Sequence, residues 1–315
     1  MNIEIVNSLN VREKRKNGVF AIGTHNGIFN ADEIIACAIL CLVNSDTLVQ
    51  ILRTKDDKKF KYCDVCININ GSNYNIEDSQ KYVFSGFIWK VYGKTLINQF
   101  LTKYFDNVNC NLYLICKISE IFDNSFISFN DYGTDNIHKE NCFTFISSFL
   151  PLWFKFDTYT CNEQFKKALI TTISVLEEKL KATISNFFAN STIRCYFENP
   201  NYFKNGILEI PSEAMDWLET VVDINNENDK NCINFVIYPS SDGKGWIAQC
   251  VPQSLEEFSK YRISFPKDWA KNTSNLSEIS GVHGAILCNN NCSLVKSTSK
   301  KAIITMCLIA TKSVN

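Results

Sequence analysis

The sequence predicts an α/β chain, with a parallel sheet in its N-terminal part and a smaller α+β unit in its C-terminal part. Three observations predict it. Short apolar runs alternate with helical periods through the first part, which is the rhythm of strand–helix–strand units and a parallel sheet with helices on its faces. A long apolar stripe at three- and four-residue spacing marks a helix in the middle. Two apolar runs then flank a glycine-containing loop, as a β-hairpin does. At 315 residues the chain has room for two domains of ordinary size. The change of character falls within 140–165, and the expected division is 1–155 and 156–315.

Taken in order, 19–24 reads as a strand and 32–43 as a helix. A second strand is expected at 47–52. A third, at 64–69, lies between the charged stretch Lys55 to Lys61 and the turn signal Asn70-Gly71-Ser72-Asn73. The run 84–105 reads as helical. Over 162–188 the residues Phe165, Leu169, Ile173, Leu176 and Leu180 share one helix face, with Lys166, Lys167, Glu177 and Lys181 off it. The hairpin joins 234–238 to 246–251 through Ser240-Ser241-Asp242-Gly243-Lys244-Gly245. A further strand at 285–288 and a closing helix at 300–309 complete the chain.

Net charge is −1, so the whole-protein field gives no footprint for nucleic acid or an anionic membrane. No run reaches the ~18 apolar residues of a membrane span. The N-terminus lacks the apolar core of a signal peptide, and an intracellular protein is expected. The 14 cysteines are then expected to be reduced and mostly buried. Cys63-x-x-Cys66 lies in a strand-like run with no second such pair at zinc spacing, and Cys288 and Cys292 sit in an Asn-rich loop. Arg12, Lys14, Arg15 and Lys16 read as a solvated basic tail. Lys55, Lys58, Lys59 and Lys61 read as a solvated loop, or as a nucleic-acid contact beside the cleft.

The stretch with the most chemistry is Gly23-Thr24-His25-Asn26-Gly27-Ile28-Phe29-Asn30-Ala31-Asp32-Glu33. It joins the first strand to the first helix, where ligand sites of parallel sheets lie. His25 and Asp32 suit Mn²⁺, Fe²⁺ or Zn²⁺. A plainer reading needs no metal. Asn30 is a good N-cap, Glu33 three residues later completes a capping-box-like pattern, and Asp32 favours the first helical turn. The chain has three histidines, His25, His138 and His283, which nearly excludes a site built largely of His. Asp131, Asp135 and His138 cluster in what reads as a polar turn, and His283 reads as a surface residue of a glycine turn. No Ser/His/Asp triad spacing, P-loop or dinucleotide fingerprint is present.

The same stretch resembles the opening motif of the melanocyte proliferating gene one family, which reads roughly G-T-H-x-G-x-F-H-x-D-E. Trp246-Ile247-Ala248-Gln249-Cys250-Val251-Pro252 resembles the family's W-x-x-Q-x-V-P, and Phe265-Pro266-Lys267-Asp268-Trp269 its L-P-x-x-W. Leu276-Ser277-Glu278-Ile279-Ser280-Gly281-Val282-His283-Gly284 resembles its L-x-x-V-S-G-I-x-G. The resemblance implies a two-domain fold of DHH-phosphoesterase type, a divalent-metal site and 3′→5′ exonuclease activity on RNA, in nucleus or mitochondria.

Departures from the family pattern shape the functional expectation. Asn30 stands where the motif has its second His. In Cys63-Asp64-Val65-Cys66-Ile67-Asn68, Asn68 stands where the family has an Asp. No DHH follows in Tyr74-Asn75-Ile76-Glu77-Asp78-Ser79-Gln80, and the later acidic motif keeps at best Asp131. His25 and Asp32 remain as vestigial metal candidates, with Asn30, Asn68 and Asp131 as degenerate positions. The expected protein is a catalytically impaired homologue acting as a binding or regulatory protein, with single-stranded RNA or a protein as partner and no membrane. The alternative is an active phosphodiesterase using Mn or another divalent metal on a reduced set such as His25, Asp32, Asp64 and Asp131.

Overall fold

The computed structural model describes residues 1–10, 18–67, 84–105, 111–124, 142–228, 232–270 and 275–313. Contacts divide the chain into two compact units, Met1–Ile184 and Ser185–Asn315.

In the first unit, β1 (Asn2–Val6), β2 (Phe20–Thr24), β3 (Leu48–Arg53) and β4 (Val65–Ile67) form one sheet in the order β1-β3-β2-β4. Every pairing in it is parallel. The inner strands β2 and β3 are nearly continuous apolar runs, as sheets covered on both faces require. Ala21, Ile22, Val49 and Ile51 are fully buried. The helix α1 (Ala31–Val43) follows β2 and is buried all round from Ala31 to Leu42, which is why it shows no polar face. It packs against α2 (Phe84–Tyr104). The Trp89 ring of α2 packs at a tilt against Phe122 of α3 (Leu112–Phe122), 4.6 Å between centroids. α4 (Cys142–Ser147) also lies against α1.

The long helix α5 (Thr158–Glu198) has 41 residues and runs from the first unit into the second. Phe165, Leu169, Ile173, Leu176 and Leu180 are all buried, as their spacing predicts.

In the second unit, β5 (Phe203–Lys204), β6 (Ile207–Glu209), β7 (Phe235–Pro239), β8 (Trp246–Cys250), β9 (Ala285–Cys288) and β10 (Leu294–Ser297) form a mixed sheet in the order β5-β6-β7-β8-β10-β9. Only β6 and β7 run parallel among its pairings. The period-two alternation of β7 splits its side chains between two cores. Phe235 and Ile237 join Trp269 of α7 (Lys267–Ala270), Leu276 of α8 (Leu276–Ser280) and Ile303 and Met306 of α9 (Lys300–Lys312). Val236 and Tyr238 join Val221 and Val222 of α6 (Leu218–Glu227). Among the described residues, no helix is long and apolar enough to cross a membrane.

Candidate functional site

Parallel pairing puts the carboxyl ends of three strands side by side. Thr24 of β2 is in register with Arg53 of β3 and with Ile67 of β4. The turn carrying His25 leaves from this row, at the end of the sheet where ligands bind in such folds. Asn68 and Asp131 lie outside the described residues, as do His138 and the basic cluster at Arg12 to Lys16.

Asn30 is the N-cap of α1. Its Oδ1 accepts the Glu33 backbone N–H at 2.7 Å, from an extended backbone with φ −115° and ψ 166°. The carboxyl of Glu33 does not turn back to close a capping box. Its Oε1 accepts a short hydrogen bond from Thr24 Oγ1. Its Oε2 lies 3.6 Å from His25 Nδ1. His25 Nε2 lies 2.9 Å from the Ile28 carbonyl, which can only accept, so Nε2 carries a proton. That tautomer leaves Nδ1 facing Glu33. Neither Nδ1 nor Oε2, both buried atoms, has a hydrogen-bond partner among the described residues. Burial raises the pKa of Glu33, and the nearby His25, Thr24 and Arg53 oppose that rise.

Asp32, the other metal candidate of this stretch, sits in the first turn of α1. It is 5% exposed, and its Oδ1 accepts the Ser85 N–H at 2.8 Å, fixing the start of α2. Asp64, another candidate, accepts the Ala21 N–H at 2.7 Å and so secures β2. His283 is exposed, as a surface histidine should be. Lys59 donates to the Asn7 carbonyl at 3.2 Å, which ties the loop after β3 to the segment after β1.

Sequence reasoning missed Arg53, which is 1% exposed. One guanidinium nitrogen donates to the Gly27 carbonyl at 2.9 Å, and another to Asn162 Oδ1 at 2.8 Å. The guanidinium lies 4.2 Å over the Phe165 ring. It thereby clamps the His25 turn to the start of α5. Burial lowers the Arg53 pKa, and the Glu33 charge opposes that. The available signal was a lone charge ending an apolar strand, because Arg is almost never fully buried unless paired.

The second side of β2 is built on sulfur. A Cβ on Gly23 would lie 2.8 Å from the Phe60 ring, 2.9 Å from Cys63 Sγ and 3.1 Å from Cys66 Sγ. Glycine is required there by that close approach, and the two sulfurs fill the space.

A divalent ion would find His25 Nδ1 and Glu33 Oε2 3.6 Å apart, both without a hydrogen-bond partner among the described residues. The other ring nitrogen of His25 places its N–H on the Ile28 carbonyl, as metal-bound histidines commonly do. Two donors fall short of the three protein ligands a catalytic zinc keeps. Among the described residues no three His, Cys, Asp or Glu side chains converge. The described residues therefore do not by themselves make a metal centre.

Most apolar residues of the segments that carry the resemblance in the second unit lie in its core. Phe265, Trp269, Leu276 and Val282 are buried together with Ala248 and Cys250. These six side chains pack one core, so their likeness to other proteins bears on architecture. A mouse protein named MYG1 exonuclease is 26% identical over 306 residues, covering 84% of this chain and 78% of its own length. A Chlamydia pneumoniae MYG1 protein is 23% identical over 299 residues, covering 90% of this chain and 93% of its own length. A Schizosaccharomyces pombe MYG1 protein is 27% identical over 304 residues, at 86% and 90% coverage. The family model MYG1_exonuc, described as an uncharacterised protein family (UPF0160), matches residues 21–311. That span takes in all but the first residue of β2, the His25 turn and nearly all of the second unit, and on it the chain belongs to the MYG1 family.

Proposed function

We propose that this chain is a divergent MYG1-family protein whose first unit has the DHH-phosphoesterase fold and which binds its ligand without cleaving it. The observation that carries this reading is Asn30. Its side chain is committed to capping α1, and an amide oxygen lacks the charge or imidazole nitrogen that holds a divalent cation. Asp32 is likewise engaged with the Ser85 backbone. Without bound metal, no hydroxide nucleophile forms at neutral pH by that route. The relatives named exonuclease make a nucleic acid the ligand class to test, and the RNA activity that the motif resemblance implies makes single-stranded RNA the first choice. A binding or regulatory protein of this kind should retain labelled single-stranded RNA with an affinity that falls as salt rises. It should leave the RNA at full length in Mn²⁺. Shortening of the RNA that needs Mn²⁺ and stops in Asp32→Ala would overturn the proposal.

One observation favours a second reading, an active phosphodiesterase with a reduced ligand set and Mn or another divalent cofactor. His25 Nδ1 and Glu33 Oε2 are buried, face each other and lack hydrogen-bond partners among the described residues. Such a pair would be satisfied by a cation. Stoichiometric Mn, Zn or Fe in gently purified protein would support this reading.

A further inference from the structure

Cys63 and Cys66 are brought together by the edge of the first sheet. Cys63 follows the 3-10 turn Asp57–Tyr62, and Cys66 is the middle residue of β4, paired with Gly23 of β2. Both sulfurs converge on the space a Gly23 side chain would occupy, at 2.9 and 3.1 Å from its Cβ position. A hydrogen bond from Cys63 reaches the Cys66 sulfur. Both residues are partly exposed, whereas Cys37, Cys41, Cys250 and Cys307 are buried. Burial pushes the Cys41 thiol up to about 12, which makes such thiols inert. Cys63 and Cys66 combine access with a thiol partner, whereas Cys288 and Cys292, which also share a hydrogen bond, are both buried.

We propose that Cys63 and Cys66 form a reversible dithiol–disulfide pair that exchanges with small-molecule disulfides such as oxidised glutathione. In the first step the Cys66 thiolate attacks one glutathione sulfur, forms a mixed disulfide and expels one glutathione thiolate. In the second, Cys63 gives up its proton and attacks the Cys66 sulfur, expelling the second glutathione thiolate. Two electrons pass from the protein to the oxidised glutathione, and the two thiol protons end on two glutathione molecules. The inference is independent of whether the His25 turn binds metal or RNA.

The full-length protein, treated with oxidised glutathione, alkylated and digested with trypsin, tests it. Residues 62–81 form one tryptic peptide that contains Cys63 and Cys66 and no other cysteine. That peptide should lose both alkylation sites and weigh two hydrogens less, and dithiothreitol should restore both. Cys63→Ser should instead leave a single glutathione adduct on Cys66. Gly23→Ala puts a methyl group into the space of the sulfurs and should lower the yield of the internal disulfide. Full alkylation of both residues after oxidised glutathione would overturn the proposal, as would glutathione adducts on both with no internal link. Cys63→Ser is conservative enough to keep the test open if Gly23→Ala does not fold.

Discussion

At Asn30 one amide oxygen satisfies a backbone N–H that the first turn of α1 would otherwise leave without a partner. Asn30→Ala should cost about 1 kcal/mol of unfolding free energy, and Asn30→Asp or Asn30→Ser should restore most of it. Urea denaturation of the three variants measures this. A loss confined to metal-loaded protein would instead mark Asn30 as a ligand. Asp242, in the hairpin loop, holds Lys296 of β10 at 2.6 Å and the Lys244 N–H at 2.9 Å. The Lys296 hydrogen bond, aided by Lys244 and Ser240, holds its carboxyl well below the ordinary 3.8. A carboxyl with a depressed folded pKa stabilises the protein above its unfolded value and loses that contribution as pH falls through the folded one. Asp242→Asn should therefore lower the melting temperature at pH 7. The gap to the natural protein should narrow in acid below 3.8, which melting curves across pH would show.

The elements meet at Arg53, where β3 ends against the His25 turn and the start of α5. Buried charge is tolerated only while its partners remain. Arg53→Met keeps the bulk but leaves Glu33 without its nearby cation, and should cost about 3–5 kcal/mol. Arg53→Met combined with Glu33→Gln should cost less than the sum of the two single changes, and a double-mutant cycle reads the difference. How legible these elements are in the sequence follows from how they are buried. β2, α1, β3 and the β7–β8 hairpin stand out because whole faces or whole runs are apolar. β1 does not: Asn2-Ile3-Glu4-Ile5-Val6 is a half-exposed edge strand whose parallel pairing with β3 is non-local, and no element is expected there from the sequence. The short strands β5 and β6 are set by pairing and not by pattern. α5 outruns its expected 162–188 at both ends because polar residues there still face solvent. At the site, His25 and the Asn30 cap are legible, since both follow from local spacing. The Thr24–Glu33 bond, the Arg53 clamp and the turn of Asp32 to Ser85 are not, because each joins segments through the folded sheet and helices.

For the molecule as a whole, the question is whether folding is linked to a divalent ion. The first unit has no complete ligand set among its described residues, yet it leaves His25 Nδ1 and Glu33 Oε2 3.6 Å apart. Any ligand that binds the native state and not the unfolded one raises stability by RT ln(1 + [L]/Kd), whatever the ion does chemically. A site holding Mn²⁺ with a dissociation constant a thousandfold below the concentration used would add about 4 kcal/mol. The binding-protein reading gives the opposite expectation: thermal melts in excess Mn²⁺ and in EDTA should superimpose. If they separate, Glu33→Gln decides where the ion sits. It removes the carboxylate charge while keeping a group able to accept from Thr24, so it should abolish the shift when the ion bridges His25 and Glu33. A shift that survives Glu33→Gln would place the ion elsewhere in the chain. A shift that vanishes would turn the His25 turn from a helix cap with an inherited motif into a working metal site.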